Sequence, residues 1–219
     1  MRIVVTAGPT REHLDPVRFL SNPSTGKMGF AIAAEAARRG HEVVLVAGPV
    51  ALKTPNRVQR VDVTSAREML AAVEGAVRTS KTSGTSRTVV IGTAAVADWR
   101  PAKCAAQKLK KGEMSGVLRL VRNPDILKSI AKTRGRKTED VRLVGFAAET
   151  NDVLKEAARK CREKGLSLIV ANDVTKKGSG FGTDTNKVTF VFPDGTMKRF
   201  PLMTKRMVAK RILDAVSRL

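Results

Sequence analysis

The sequence is poor in aromatic residues: it contains no tyrosine, one tryptophan and seven phenylalanines. Proteins that bind single-stranded nucleic acids stack bases on aromatic side chains, so this shortage argues against that class. The absence of tyrosine argues against a short-chain dehydrogenase that uses a tyrosine as its catalytic acid. The glycine spacing G-x-G-x-x-G is also missing, so the sequence carries no dinucleotide-binding fingerprint.

Cysteine and histidine are equally scarce. The two cysteines, Cys104 and Cys161, lie far apart, no C-x-x-C pair is present, and the chain has only two histidines. Zinc sites and disulfide frameworks are built from closely spaced sets of these residues, so we expect neither.

Long apolar runs are absent as well. No segment of about 18 consecutive apolar residues occurs, which argues against a transmembrane helix. The first residues, from Met1 to Val5, lead directly into a strand and lack the cleavage region of a signal peptide. We therefore expect a cytoplasmic protein without a membrane partner.

Acidic residues are outnumbered, since 20 Asp and Glu stand against 41 Lys and Arg, for a net charge of +21. Such an excess indicates an anionic partner, either nucleic acid or a very negative small substrate, or else an adaptation of the whole surface with no single partner. Because the basic residues are spread over the chain and aromatic residues are few, we favour small anionic substrates. Nucleic acid is not expected as the physiological partner.

What the sequence does contain is an alternation of β-branched runs and amphipathic segments, with 42% hydrophobic residues. The predicted order is β-α-β-β-α-β-loop-β-α-β-α-β, then a hairpin around 193–195 and a terminal helix capped by Thr204. This order includes a strand over 117–121 and a helix whose N-cap is Asn123. It predicts one α/β domain over 1–219, a doubly wound, mostly parallel Rossmann-like sheet with helices on both faces and a C-terminal hairpin.

The stretch from Arg2 to Pro49 is predicted to form a strand, a long polar loop, a helix and a second strand, so the two strands should be parallel. Ligands bind such sheets at the carboxyl ends of the strands, where this loop lies. Ser24, Thr25 and the N–H groups around Gly26 stand at the positive end of the helix dipole, which suits an anion. The alternative is a glycine-rich turn that only lets the helix pack on its strand. The length of the loop and its polar residues favour the anion site.

Other predicted strand ends carry small residues followed by a polar group. The small residues at 94–97 follow a buried strand, and Asp98 is the first charged residue beyond it, serving either the chemistry or a helix or turn cap. Polar groups also follow the strands that end near Phe146 and Asn172. We expect these ends to converge with Gly8 on one cleft.

Two segments have no periodicity. The basic segment 107–112 is either a mobile flap over phosphates or a solvated loop. The glycine-rich segment 172–187 is longer than most loops of compact domains, which indicates a functional or interface element.

Nine motifs follow one another along the chain: TAGPTRE at 6–12, LDPVR at 14–18, SN at 21–22, STGKMG at 24–29, AAVAD at 94–98, KLKK at 108–111, NPD at 123–125, VGFAAET at 144–150 and ANDV at 171–174. In this order they resemble one known family, the bacterial phosphopantothenoylcysteine synthetases of coenzyme A biosynthesis. The resemblance spans nearly the whole chain. It differs from the family pattern at Trp99, where a tyrosine is expected, and at Pro23, where a polar residue is expected.

The resemblance implies a ligase that acts in two steps. The carboxylate of 4′-phosphopantothenate attacks the α-phosphate of CTP, giving an acyl-cytidylate and pyrophosphate, and the amine of L-cysteine then displaces CMP. It further implies Mg²⁺ bound with CTP, a homodimer formed through the segment 172–200, and a synthetase that is free-standing because the chain begins at its first strand.

The resemblance also implies roles for individual residues. Lys108 would stabilise formation of the acyl-cytidylate, and Asn22 would donate to the acyl oxygen when the intermediate is turned over. Lys160 and Lys164, one helical turn apart, would otherwise be interpreted as a solvated helix face. The implied CTP-binding residues are Gly92, Thr93, Ala94, Asp98, Lys108, Pro124, Asp125, Ile126, Leu127, Phe146, Lys160 and Lys164. The residues expected to bind phosphopantothenate or another anion are Arg18, Asn22, Ser24, Thr25 and Gly26, and no metal ligand is assigned.

Two other functions stay open from the sequence alone. One is an NAD(P)-binding oxidoreductase, because that class shares the Rossmann fold. The other is a basic nucleic-acid-binding protein, which only the net charge of +21 favours.

Overall fold

The computed structural model describes residues 1–80, 87–110, 112, 116–134, 141–149, 153–173, 178–180 and 182–219, and the elements below refer to these ranges. The strands are β1 (Arg2–Ala7), β2 (Arg11–His13), β3 (Phe19–Ser21), β4 (Glu42–Ala47), β5 (Gln59–Asp62), β6 (Thr88–Gly92), β7 (Trp99–Pro101), β8 (Leu120–Arg122), β9 (Val141–Glu149), β10 (Leu168–Asp173), β11 (Thr185–Val191) and β12 (Met197–Thr204). The helices are α1 (Lys27–Arg38), α2 (Ala66–Ser80), α3 (Ile126–Arg134), α4 (Val153–Glu163) and α5 (Lys205–Val216).

Eight of the strands form one sheet in the order β12-β11-β10-β9-β6-β1-β4-β5. Neighbouring strands from β10 to β5 are parallel, whereas β11 is antiparallel to both β10 and β12. The chain crosses from β1 to β4 on one side and later places β6 on the other, so a topological switch point lies between β1 and β6. The predicted mostly parallel sheet with a C-terminal hairpin is confirmed.

Helices cover both faces of this sheet, as predicted. Successive residues of a strand point to opposite faces. Accordingly Ile3 packs in a buried cluster with α1 and α5, while Val4 packs in a second cluster with α2, α3 and α4. The inner strands are therefore continuous apolar runs, which is typical of a parallel sheet buried on both sides.

The predicted strand over 117–121 is wrong as a member of the main sheet. Only Leu120–Arg122 is a strand, and it pairs with β7 in a separate two-stranded ribbon. Val117 is 81% exposed, so the alternation of apolar residues there does not face a core. A second ribbon, β2 with β3, occupies part of the segment that was predicted to be one polar loop.

The predicted N-cap of α3 is also wrong. The helix begins at Ile126, and the Asp125 carboxylate accepts a 3.0 Å hydrogen bond from the Lys128 backbone N–H, which makes Asp125 the cap. The Asn123 side chain instead donates to the Ala97 carbonyl at 2.8 Å. The cap therefore lies two residues later because Asn123 is used to join two loops.

The C-terminal part of the chain closes the sheet as the sequence indicated. The hairpin turns through Pro193–Gly195, and the Thr204 hydroxyl accepts from the Met207 N–H at the start of α5. Residues 185–187 of the predicted loop belong to β11. In the part of the chain that the structure describes, no helix combines the length and apolarity that crossing a membrane requires.

Candidate functional site

A cleft of about 480 Å³ lies at the carboxyl ends of β1, β6, β9 and β10, beside the topological switch point. This is where open α/β sheets hold their ligands. The predicted site residues that line it are Asn22, Ser24, Thr25, Gly26, Gly92, Thr93, Ala94, Asp98, Pro124, Asp125, Ile126, Leu127, Phe146 and Lys164. Segments far apart in sequence therefore meet as expected. Arg18, Lys108 and Lys160 are not among the lining residues.

One wall of the cleft, here called the strand wall, consists of 92–98 and 123–127. After β6 the backbone continues along the end of β1, where the Ala95 N–H donates to the Gly8 carbonyl at 2.9 Å. A Cβ on Gly92 would come within 2.9 Å of Leu127, so glycine lets that leucine pack directly on the backbone. The wall is thus held by main-chain hydrogen bonds and presents a largely apolar surface.

Asp125 and Lys164 form the charged edge of the strand wall. The Lys164 ammonium lies 2.8 Å from the Asp125 carboxylate. Partial burial by itself would raise the pKa of Asp125, but hydrogen bonds from Lys164 and from the Lys128 backbone outweigh it and lower the pKa below its ordinary value. Lys160, one turn earlier on α4, does not line the cleft. Its predicted nucleotide contact stays a prediction.

The opposite wall, here called the ionic wall, consists of 24–29, 180, 182–186 and Lys205. Helix α1 begins after Gly26, whose φ of 76° is left-handed, and no side chain of the described residues caps it. The first N–H groups of α1 therefore stay available to a ligand, as an anion site requires. The glycine-rich turn also has the packing role considered from the sequence, because a Cβ on Gly29 would lie 2.5 Å from Ala7.

Two lysines of the ionic wall escaped the sequence-based prediction. The Lys27 ammonium pairs with Asp184 at 2.7 Å, and Lys205, only 5% exposed, donates to the carbonyls of Gly180 and Thr183. The predicted hairpin could have indicated Lys205, because it turns the chain so that β12 runs parallel to β10 and ends at the cleft. Burial lowers the pKa of Lys205, and the charge of Lys27 adds to the effect.

Asn22, in the loop before α1, is hydrogen-bonded to the strand wall. Its side-chain amide nitrogen donates to the Val96 carbonyl at 3.0 Å and to the Ala95 carbonyl at 3.4 Å. An amide nitrogen carries two N–H groups, so donation to a ligand requires one of these contacts to be exchanged. The longer one is the weaker and the easier to give up.

Arg18 and Lys108 lie outside the cleft. The Arg18 guanidinium pairs with Asp15 and donates to the Leu109 carbonyl at 2.8 Å, and Lys108 is exposed. In these positions neither side chain lines the cleft, so the structure does not show the predicted anion contact of Arg18 or the predicted catalytic role of Lys108. Both stay predictions.

Metal binding by protein groups alone has no support in the described residues, which contain no cluster of three or more His, Cys, Asp or Glu side chains. Two carboxylates, Asp98 and Asp125, line the cleft. Mg²⁺ is commonly held by one or two carboxylates together with substrate phosphates and water. The donor set thus fits a Mg²⁺ ion that arrives with a triphosphate.

Comparison with known proteins shows similarity along the entire chain. The family model described as the DNA/pantothenate metabolism flavoprotein C-terminal domain matches residues 1–219. The coenzyme A biosynthesis bifunctional protein CoaBC of Escherichia coli K12 is 47% identical over 219 residues, which are 99% of this chain and 51% of that protein. The chain thus spans about half the length of this relative.

Solved structures show the same similarity. The crystal structure of a C-terminal domain of CoaBC has a TM-score of 0.79 and 44% identity, covering 99% of this chain and 95% of that one. A Cab2 mutant in complex with phosphopantothenate-cysteine has a TM-score of 0.76 over 99% of this chain and 85% of that one. At 16% identity this second likeness concerns the fold alone.

Proposed function

Because the chain belongs to the family of DNA/pantothenate metabolism flavoprotein C-terminal domains, we propose that it is a phosphopantothenate–cysteine ligase of coenzyme A biosynthesis. CTP activates the carboxylate of 4′-phosphopantothenate as an acyl-cytidylate with release of pyrophosphate. The amine of L-cysteine then attacks the acyl carbon, and CMP leaves. The observation that carries this proposal is the convergence of most of the resembling motifs on one cleft.

We assign the nucleotide to the strand wall. Gly92, Ile126 and Leu127 offer an apolar seat to the nucleoside, in which Leu127 packs directly on the Gly92 backbone. Mg²⁺ bound with CTP would neutralise charge on the triphosphate, and we assign its binding to Asp98 and Asp125, which line the cleft.

We assign the phosphate of 4′-phosphopantothenate to the ionic wall. The uncapped N-terminus of α1 supplies N–H donors and a positive partial charge, and Lys27 adds a full charge beside it. Ser24 and Thr25 line the same end of the cleft. With the two substrates on opposite walls, the carboxylate of one can face the α-phosphate of the other.

The chemistry needs no nucleophilic side chain, because the attacking groups belong to the substrates. The protein has to align two anions and stabilise the charge that develops on the α-phosphate. Lys108 is the residue to which we give the second task, since the resemblance implies it and its side chain is exposed. Asn22, which is hydrogen-bonded to the strand wall, would donate to the acyl oxygen when cysteine attacks.

The test is to supply the purified chain with CTP, Mg²⁺, 4′-phosphopantothenate and L-cysteine. We expect pyrophosphate and CMP in equal amounts with the cysteine conjugate, and pyrophosphate without free CMP in the first turnover when cysteine is omitted. A parallel reaction with ATP tests the preference for CTP. If neither CTP nor ATP yields pyrophosphate, the proposal is refuted.

We also propose that the chain acts as a homodimer, as the resemblance implies for the segment 172–200. The most common closed arrangement is a twofold dimer. Light scattering should then give a mass twice the chain mass of 23.6 kDa. A fully active monomer at micromolar concentration would contradict this proposal.

A further inference from the structure

Asp15 is a fully buried carboxylate outside the cleft, in the turn between β2 and β3. One of its oxygens accepts from the backbone N–H groups of Val17 and Arg18, at 2.9 and 2.8 Å. The other accepts from the Arg18 guanidinium and from the Leu109 backbone N–H, at 3.0 and 3.2 Å. The hydrogen bonds from Arg18 hold the pKa of this carboxyl far below its ordinary value, so it is charged at any physiological pH.

Arg18 completes a clamp on Leu109. Its guanidinium donates to the Leu109 carbonyl at 2.8 Å, so the pair Asp15–Arg18 binds both the N–H and the C=O of one distant residue. A further bond, from the Ala105 N–H to the Leu14 carbonyl at 2.8 Å, ties the same two segments together.

The residues of the clamp are close in sequence to the two residues to which we give catalytic roles. Lys108 directly precedes Leu109, and Asn22 directly follows β3, which begins one residue after Arg18. Most side chains from 102 to 110 are exposed, so packing does little to locate this segment. Hydrogen bonds to its backbone therefore locate it, and the charge-assisted ones from Asp15 and Arg18 are the stronger kind.

We propose that Asp15 and Arg18 are positioning residues that hold Lys108 and Asn22 in a common frame for the two half-reactions. This inference rests on the proposed function. It also explains why a carboxylate is buried away from the cleft, since the charge is used to bind the Leu109 backbone across more than 90 intervening residues.

The test compares Asp15→Asn with a matched control, Glu35→Gln. Glu35 is another buried carboxylate, 3% exposed, that pairs with Arg38 and Arg39, but it lies on α1 away from the basic segment. We expect Asp15→Asn to lower kcat by at least about tenfold with little change in KM for CTP, because small misplacements of catalytic groups are costly. Glu35→Gln should keep the wild-type kcat although it also loses a buried ion pair.

Hydrogen exchange at the Leu109 amide supplies a readout that does not need activity. Asp15→Asn should abolish its protection, and Glu35→Gln should not. If wild-type protein makes no pyrophosphate, the proposed function fails while the exchange result still tests the clamp. If wild-type protein is active and both variants have the same kcat, the positioning role is overturned and the proposed function stands.

Arg18→Lys serves as a second variant in case Asp15→Asn does not fold. Lysine keeps a cation beside Asp15 but lacks the planar fork that also reaches the Leu109 carbonyl. We expect a kcat several-fold below wild type with unchanged KM for 4′-phosphopantothenate. A raised KM for that substrate with normal kcat would instead show that Arg18 binds the anion, and would overturn the proposal.

Discussion

The two walls of the cleft are built by different physical means. The strand wall, 92–98 with 123–127, is fixed by backbone hydrogen bonds and by apolar packing of Leu127 on Gly92. In the ionic wall, 24–29 with 180, 182–186 and Lys205, lysine ammonium groups bind Asp184 and loop carbonyls. The comparison teaches that the strand wall should tolerate changes of charge, whereas the ionic wall depends on charges from segments that are distant in sequence.

The largest effect is expected at Lys108, which belongs to neither wall, and it distinguishes a loss of charge from a change of geometry. Lys108→Gln should lower pyrophosphate release by about a hundredfold or more, because it removes a cation that stabilises the developing charge. CTP binding by calorimetry should be nearly unchanged, since the strand wall is intact. Lys103→Gln removes an exposed lysine from the same segment and is the control. Normal pyrophosphate release by Lys108→Gln would remove Lys108 from the mechanism.

Asn22→Asp tests the contact between the loop before α1 and the strand wall. Aspartate has nearly the shape of asparagine but cannot donate to the acyl oxygen or to the carbonyls of Ala95 and Val96. Pyrophosphate should still be released, and the acyl-cytidylate should accumulate even with cysteine present. Rapid quench with mass spectrometry measures this intermediate. An equal loss of both half-reactions would show that Asn22 serves binding or folding instead.

Lys205→Met tests the difference between the two walls through the free energy of unfolding. The substitution removes the ammonium donor from the partly buried carbonyls of Gly180 and Thr183, which should cost about 1–3 kcal/mol in the free energy of unfolding. Lys164→Met on the strand wall breaks a partly exposed ion pair and should cost less than about 1 kcal/mol. Urea titration of both variants measures the difference. Equal losses would mean that the two walls do not differ in this way.

Asp184→Asn should have the smallest effect, and it depends on pH. The hydrogen bond from Lys27 lowers the pKa of Asp184 below its ordinary value of 3.8. The pairing therefore stabilises the fold fully at pH values above 3.8, and this stabilisation is lost as the pH falls through the lowered pKa. Wild type should therefore be slightly more stable than the variant at pH 7, and this advantage should vanish in strong acid. High salt should also reduce it, because exposed pairs are screened. A stability difference between wild type and variant that does not change with pH or salt would contradict the ionic character of this wall.

Much of the strand wall could be predicted from the sequence because its signals are local. A β-branched run followed by 94–98 marks a buried strand and its ligand-facing end, and both the β6 strand and the polar end at Asn172 lie where expected. The errors at 117–121 and Asn123 have one cause. An alternating pattern and a capping residue are local signals, whereas burial and bonding partners are decided by the elements that pack nearby.

The sequence by itself determined the order of the elements, the parallel sheet and the cleft at its carboxyl edge, because hydrophobic periodicity and turn residues act over a few positions. Only the tertiary structure decided that Lys205 is buried and binds the carbonyls of Gly180 and Thr183, and that Asp15 binds the backbone of Leu109. Such contacts join residues far apart in the chain. Their strength depends on removal from water and on geometry, and neither quantity is a property of the residues taken alone.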